Sequence, residues 1–438
     1  MSVSAVPTQS LTSTSQARRA AIGSFVGAVV DWYDFLLYGI VAALVFNSQF
    51  FPNVSPAAGT LAALATFGVG FLFRPLGGVV FGHFGDRLGR KRMLILTVVM
   101  MGGATALIGL LPTYASIGVW APILLVTLRA IQGFAVGGEW GGAALMAVES
   151  APRGRRAFYS SGVQVGYGVG LLLATGSVSL LSHYLDDAAF NAWGWRLPFL
   201  FSVVLVLIAL KIRSSLEESP EFIAAVKQAD DKGAAEQPTK PPIVEAIKRH
   251  PSAFVTIIAM RLAELFTMYI VTTFALSYST GYLGLSRDLF LHIGLLVGAI
   301  SCVTIPLFAF LADTLGRRRV YLTGALIGVA AAFPFFKALE AGSVVWIVVF
   351  AVALANLAHD MVVCVQQPIF AELFGASYRY SGAGVGYQVA SVIGGGFTPF
   401  IAAALVDLAG GSWTPVAVYL AGGCLLSFAG AAWMLRRR

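Results

Sequence analysis

Twelve apolar runs, each near the roughly 20 residues that cross a bilayer as a helix, constrain this chain more than any other feature. Between charged or Pro/Gly breaks they cover 20–45, 60–84, 93–112, 119–148, 157–182, 196–214, 251–281, 287–312, 320–339, 343–372, 380–405 and 413–435. A bilayer offers backbone N–H and C=O groups no water, so runs of this length satisfy themselves as helices. One long polar segment, 215–250, carries Glu217, Glu218, Lys227, Asp230, Asp231, Lys232 and a proline pair at 241–242, and it splits the runs six and six. The expected fold class is an all-α integral membrane protein with twelve transmembrane helices in two six-helix, pseudo-symmetric halves. The halves span 20–214 and 251–435, with a cytoplasmic tail at 1–19, a linker at 215–250 and a cytoplasmic C-terminus at 436–438. Composition agrees: 58% of the 438 residues are hydrophobic and only 11% charged, where a soluble domain has about a quarter charged. No cleavable signal peptide is expected, because 1–19 is polar and the first run is too long and too acidic.

The net charge of +8 raises the question of nucleic acid, and its placement answers it. Basic residues cluster in short segments between apolar runs, a topology signal rather than a phosphate-binding face. With residue 1 inside, the cytoplasmic segments hold Arg18–Arg19, Arg87–Arg92, Arg153–Arg156, everything from Lys211 to Arg249, Arg317–Arg319, Arg379 and Arg436–Arg438. That is 23 of the 29 Lys and Arg; Arg287 and Lys337 fall outside, and Arg74, Arg129, Arg196 and Arg261 fall in or at the edge of helices. Both ends are therefore expected in the cytoplasm. Cys302, Cys364 and Cys424 stand alone within apolar runs and read as packing residues, not a disulfide or metal framework.

The halves repeat one another. "GDRLGRKR" at 85–92 recurs as "ADTLGRRR" at 312–319, and "SGVQVGY" at 161–167 recurs as "SGAGVGY" at 381–387. The offsets, 227 and 220 residues, are close to half the chain. Two parallel repeats are the arrangement of a transporter whose site lies between halves near the midplane.

Charges inside the runs mark that site. A charge at the bilayer centre costs about 2.5–3.5 kcal/mol on insertion scales, so such residues face cavities or partners. Asp31 and Asp34 lie about 16–21 Å into the first helix at 1.5 Å per residue, three residues apart and broadly on one face. They are candidates to hold a proton; the alternative is that one pairs with an arginine of another helix. Arg129 in the fourth run, with Gln132 one turn on and Glu139 beyond, can bind a carboxylate bidentately, from substrate or from an aspartate. Arg74 in the second run has no acid within a preceding turn, which suits an organic-anion site. Arg196 at the outer end of the sixth run is either substrate contact or snorkels to the headgroups. Arg261 and Glu264 are spaced to pair with each other, facing the cavity or not. His359 and Asp360 are further polar residues, although adjacent residues point to different faces. Tyr33, Tyr38, Tyr167, Tyr269, Tyr387, Gln164 and Gln388 are candidate cavity lining. The loop cluster Gly82, Asp86, Arg87, Gly89 and Arg90, with its repeat Asp313 and Arg317, is a candidate cytoplasmic gate; Glu149 with Arg153 and Glu372 with Arg379 are candidate partners. Gly162, Gly166 and Gly170, and Gly382 and Gly386, are spaced for close helix contact.

These residues resemble a known family. "GHFGDRLGRKR" (82–92) is similar to the loop between helices 2 and 3 of the major facilitator superfamily, and "RAIQGFAVGGEW" (129–140) to the fourth-helix signature of its metabolite:proton symporter branch. "DWYDFLLYG", "FRPLGG", "WGWRLPF", "EESPEF", "RLAE" and "YSGAGVGYQ" fit the same branch. The resemblance implies a rocker-switch fold and uptake of small metabolites with protons: dicarboxylates, tricarboxylates, shikimate-like acids or the zwitterions proline and betaine. It ties Arg129 to proton coupling, so Asp31, Asp34, Arg129 and Glu139 form the candidate coupling group. Asp31 stands where the family usually has Glu, Ala309 where the loop pattern wants Gly, and Thr314 where the first half has Arg87. The leading expectation is proton symport of a small organic anion (mono-, di- or tricarboxylate) by a monomer of the bacterial inner membrane, with the proton as coupling ion and no other cofactor. A zwitterionic osmolyte is the alternative. No GxxxxGK[ST] loop, HExxH or GxSxG occurs, which leaves ATP-driven pumping and a membrane enzyme without a motif.

Overall fold

A computed structural model describes residues 14–88, 90–139, 154–214, 247–374 and 379–434. Its spans are α1 (Phe25–Phe50), α2 (Pro56–Phe81), α3 (Arg92–Leu110), α4 (Trp120–Gly137), α5 (Arg156–Tyr184) and α6 (Arg196–Ser214) in the first half. The second half has α7 (Pro251–Gly281), α8 (Arg287–Leu315), α9 (Arg317–Glu340), α10 (Val344–Leu373), α11 (Gly382–Leu408) and α12 (Thr414–Met434). All twelve correspond to the predicted runs. The far end of the fourth run, 140–148, and the predicted linker over 215–246 lie outside the described residues.

Local chemistry sets several boundaries. Ser55 accepts the amide of Ala58 with Pro56 at the first helical position, opening α2. Pro251 opens α7 in the same way. Gly316, at φ +98°, a conformation that disfavours side chains, separates α8 from α9 within the repeated loop motif. Pro306, Pro334 and Pro368 lie inside α8, α9 and α10, tolerated where neighbouring helices and side chains satisfy the freed carbonyls.

The repeat seen in sequence is also conformational. A π-helical turn at Ala42–Phe46 in α1 is matched by one at Ile270–Phe274 in α7, and such turns concentrate at functional positions. Thr273, within the second turn, meets Gly39, which shortly precedes the first; a Cβ on the glycine would lie 3.0 Å from the Thr273 hydroxyl.

The outer surface is apolar, and a set of polar side chains lies buried within an otherwise apolar interior. Leu107, Val303, Phe310, Val345 and Leu426 are exposed around the bundle, as a lipid-facing surface requires. Asp34, Arg129, Gln132, Arg261, Glu264 and Asp360 are buried. The halves meet along α5 with α8 and α2 with α11. A Cβ on Gly168 would stand 2.9 Å from the Gly298 carbonyl, so only small residues allow the α5–α8 crossing. Gly166 and Gly170 seat α5 against Ala28 and Trp32 of α1, as their spacing predicts. Gly162 differs: open space surrounds it.

Odd-numbered spans begin on one face, termed the near face. There Asp313, at the end of α8, accepts the Ala157 and Phe158 amides of α5 at 3.2 and 2.9 Å, a carboxylate on a helix N-terminus reaching across the halves. Glu372 of α10 pairs with Arg317 at 2.9 Å and with Arg156 of α5 at 3.5 Å. On the far face, Arg287 meets Asp187 across the halves at 2.7 Å. Of the other predicted gate residues, Gly82, Asp86 and Arg87 fall on the last turns of α2's helix, Arg90 leads into α3 and Arg379 into α11, with side chains outside the described set. Gly89, Glu149 and Arg153 lie outside the described residues.

Candidate functional site

The two aspartates of α1 serve different places. Asp34 is fully buried and turned toward α3, where the Thr105 hydroxyl lies 2.7 Å from its Oδ2. Gln132 of α4 donates to that hydroxyl at 2.6 Å, and Arg129 donates to Gln132 Oε1 at 3.1 Å. A chain of Asp34, Thr105, Gln132 and Arg129 therefore links α1 to α4 through α3. Neither aspartate forms an ion pair with Arg129. Its guanidinium rests on aromatic faces instead, 4.0 Å from the Phe35 ring, 4.1 Å from Tyr38 and 5.0 Å from Phe67. Glycine makes room for it: a Cβ on Gly70 would stand 2.7 Å from Arg129 Nε. Gly133 of α4 packs on the carbonyl of that same Gly70, holding α2 and α4 backbone to backbone.

Thr105 gives the chain a chemical property. Its one proton has two acceptors, Asp34 Oδ2 and the Met101 carbonyl at 2.9 Å, while Gln132 fills a lone pair. With Asp34 ionised, the hydroxyl serves the carboxylate and leaves Met101. With Asp34 protonated at Oδ2, the acid donates to Thr105 and the hydroxyl returns to Met101, so the hydroxyl's donor and acceptor positions stay filled, while Asp34 Oδ1 has no partner among the described residues. The proton on Asp34 thus sets the hydrogen bonding between α1, α3 and α4. No sequence motif marked Thr105, which lies 71 residues from Asp34 in an apolar run.

Asp31 faces a central cavity of about 60 Å³ between the halves. Arg74, Glu139, Gln164, Arg261, Tyr269, Tyr387, Gln388 and Ser391 share its wall. Arg74 lies over the Phe35 and Phe71 rings at 3.9 and 4.0 Å, and among the described residues no carboxylate comes within ion-pair distance of it. Arg261 is committed: it holds Glu264 at 2.8 and 3.1 Å, donates to the Tyr387 carbonyl at 2.7 Å and Ser391 at 2.5 Å, and stacks on the Tyr387 ring. Several buried polar atoms around the cavity have no partner among the described residues: Asp31 Oδ1, Glu139 Oε2, Arg74 Nε, Gln164 Nε2 and Gln388 Oε1.

Several predicted lining residues are turned elsewhere. Tyr33 donates to the Pro198 carbonyl of α6 at 2.6 Å. Tyr38 donates to Thr66 at 2.6 Å beneath Arg129, and Gln132 belongs to the Asp34 chain. Tyr167 packs between Trp32 and His359. Arg196 neither binds in the cavity nor snorkels: its guanidinium donates to the Gly109 carbonyl at 3.1 Å and to that of Leu111, closing the end of α3, whose last carbonyls lack helical partners. Arg213, read as part of the polar cytoplasmic segment, is buried and ion-paired with Glu139. Glu139 is thereby set apart from the Asp34 chain.

A second buried network was only half visible in sequence. His359 Nδ1 lies 2.7 Å from Asp360 Oδ1, so these neighbours converge despite adjacent numbering. Ser301 and Thr304 of α8 donate to Asp360 Oδ2 at 2.9 and 2.5 Å, and Asn356 comes to 3.4 Å. Asp360 so ties α8 to α10.

Comparison with known proteins places this architecture. The family model for sugar (and other) transporters matches residues 20–434. The shikimate transporter of Escherichia coli (strain K12) is 71% identical over 425 residues, covering 97% of this chain and 96% of that protein. The inner membrane metabolite transport protein YhjE of the same organism is 40% identical over 90% of this chain and 89% of its own. The proline/betaine transporter of Salmonella typhimurium (strain LT2) is 34% identical over 89% of this chain and 78% of that protein. Among solved structures, the proton:xylose symporter XylE bound to 6-bromo-6-deoxy-D-glucose superposes with a TM-score of 0.75 at 18% identity, over 97% of this chain and 96% of that one, a likeness of fold. With twelve spans, a polar cavity between two halves and these relatives, the chain is a multi-pass membrane transporter, not an enzyme, and it belongs to the metabolite:proton symporter branch of the major facilitator superfamily.

Proposed function

We propose that this transporter imports a hydroxylated ring monocarboxylate of the shikimate class together with protons, across the bacterial inner membrane, with both chain ends in the cytoplasm. The observation that carries the reading is Arg74: a buried guanidinium facing a central cavity, with no carboxylate at ion-pair distance among the described residues. Such a group is stabilised by an anionic substrate, which it can bind through two parallel hydrogen bonds. One free guanidinium matches one carboxylate, because Arg261 is already neutralised by Glu264. That count favours a monocarboxylate over the di- and tricarboxylates also expected from sequence. The 71% identity to a shikimate transporter supports the ring acid.

Proton coupling is assigned to Asp34 with Thr105, Gln132 and Arg129. A proton on Asp34 rearranges the bonds joining α1, α3 and α4, so protonation and helix position are linked, as alternating access requires. Tyr269, Tyr387, Gln164 and Gln388 complete the walls around the substrate, and the Asp313 and Glu372 contacts act as the cytoplasmic latch. A zwitterion remains the second reading, because Asp31 and Arg74 offer both charges in one cavity.

The test is uptake into proteoliposomes under an imposed pH gradient, alkaline inside. Labelled shikimate is expected to accumulate above the external concentration and to be released by a protonophore. Accumulation of proline or betaine without shikimate would favour the second reading, and accumulation indifferent to the protonophore would contradict proton coupling.

A further inference from the structure

Glu139 lines the cavity, yet the Asp34 chain does not reach it. It is ion-paired with Arg213 of α6, and Arg213 also donates to the Leu94 carbonyl of α3 at 2.9 Å. Both side chains are 4% exposed. The pair lies against Gly27 of α1, where any Cβ would run into the Arg213 guanidinium and stand 2.6 Å from Glu139 Oε1. Three helices therefore fix one carboxylate oxygen. The other, Oε2, is buried with no partner among the described residues, and so is Oδ1 of Asp31, which lines the same cavity. A carboxylate paired with an arginine accepts hydrogen bonds only. A buried acceptor left unpaired is unfavourable, and a ligand O–H relieves it where a C–H cannot.

We propose that Glu139 Oε2 and Asp31 Oδ1 accept hydrogen bonds from substrate hydroxyl groups, with Arg213 as the positioning residue that holds Glu139 in place. This rests on the reading of the cavity as the site of a ring carboxylate and adds how the rest of the ring is recognised. The carrier then selects by hydroxyls. A ring lacking them leaves both oxygens unpaired, and a second carboxylate meets two like charges beside a single free guanidinium. Sites built to bind a hydroxyl reject analogues lacking it far more strongly than apolar pockets reject a missing methylene.

The test uses the full chain in proteoliposomes and competes labelled shikimate exchange with three acids: shikimate itself, cyclohex-1-ene-1-carboxylate, which has the ring and acid but no hydroxyl, and a cyclohexene dicarboxylate. The hydroxyl-free acid is expected to compete about 100-fold more weakly than shikimate, and the dicarboxylate no better. Glu139→Gln is expected to weaken shikimate about tenfold while leaving the hydroxyl-free acid unchanged, so the ratio shrinks. Equal competition by the hydroxyl-free acid in the wild type would overturn the proposal with no variant needed. Equal weakening of both acids by folded Glu139→Gln would also overturn it. Absence of any shikimate binding would overturn both this proposal and the function on which it rests.

Discussion

Asp34 has a protein environment that changes with its own protonation, because Thr105 has one proton and two acceptors. Asp34→Asn can neither ionise nor carry a proton; it is expected to abolish accumulation against a gradient while retaining substrate exchange, measured side by side in proteoliposomes. Thr105→Val keeps the side chain's shape and removes the hydroxyl. It leaves Asp34 and Gln132 without their bridge, and gradient-driven uptake should fall about tenfold or more, since a lost buried hydrogen bond to a charged group is worth about 1.5–3 kcal/mol. Arg74→Lys keeps the charge but not the two-pronged geometry; substrate affinity should drop about tenfold, read by competition binding, with the pH dependence of uptake unaltered. At this scale the sequence was legible for the charged residues, since an intramembrane Asp or Arg is conspicuous. It was silent on Thr105 and on Ser301 and Thr304, because a hydroxyl in an apolar run looks like filler until a distant helix brings its partner. Arg196 and Arg213 misled for the converse reason: position at a span's end suggested water, and the fold supplied a carbonyl cluster to one and Glu139 to the other.

Among the helices, α2 and α4 approach closely enough for Gly133 to rest on the Gly70 carbonyl, and Arg74 and Arg129, one from each helix, both lie against the Phe35 ring. Gly133→Ala has no room for its methyl and should destabilise the first half by about 1–3 kcal/mol, the usual cost of overpacking. Thermal unfolding in detergent measures it as a lowered Tm. Gly162→Ala, in open space on α5, is the contrasting case: it should leave stability unchanged or raise it slightly, as expected of a helical glycine replaced without a clash. Glycine spacing in the sequence identified α5 as a contact helix but could not tell Gly162 from Gly166, since a four-residue repeat drifts around the helix and one face packs while the next does not. Apart from the end of the fourth run, which lies outside the described residues, the spans were readable to within a few residues, because bilayer thickness sets their length.

For the whole molecule, the halves are joined on the near face by Asp313 on the α5 N-terminus and by Glu372 with Arg156 and Arg317, the contacts proposed above as a latch. The repeat "ADTLGRRR" located Asp313 and Arg317 in the sequence, but its partners on α5 come from the other half and are not encoded nearby. Asp313→Asn weakens both amide contacts and should shift the population toward the state open on that face; faster thiol labelling of a cysteine introduced in the cavity wall reports the shift, and an unchanged labelling rate would remove Asp313 from the latch. In the proposed transport cycle, substrate and proton move together through Asp34. The decisive experiment adds shikimate outside wild-type proteoliposomes with no imposed pH gradient and records external pH. Alkalinisation of the medium as substrate enters, absent in Asp34→Asn, is the predicted result; substrate entry with no pH change in the wild type, or equal alkalinisation in the variant, would contradict it.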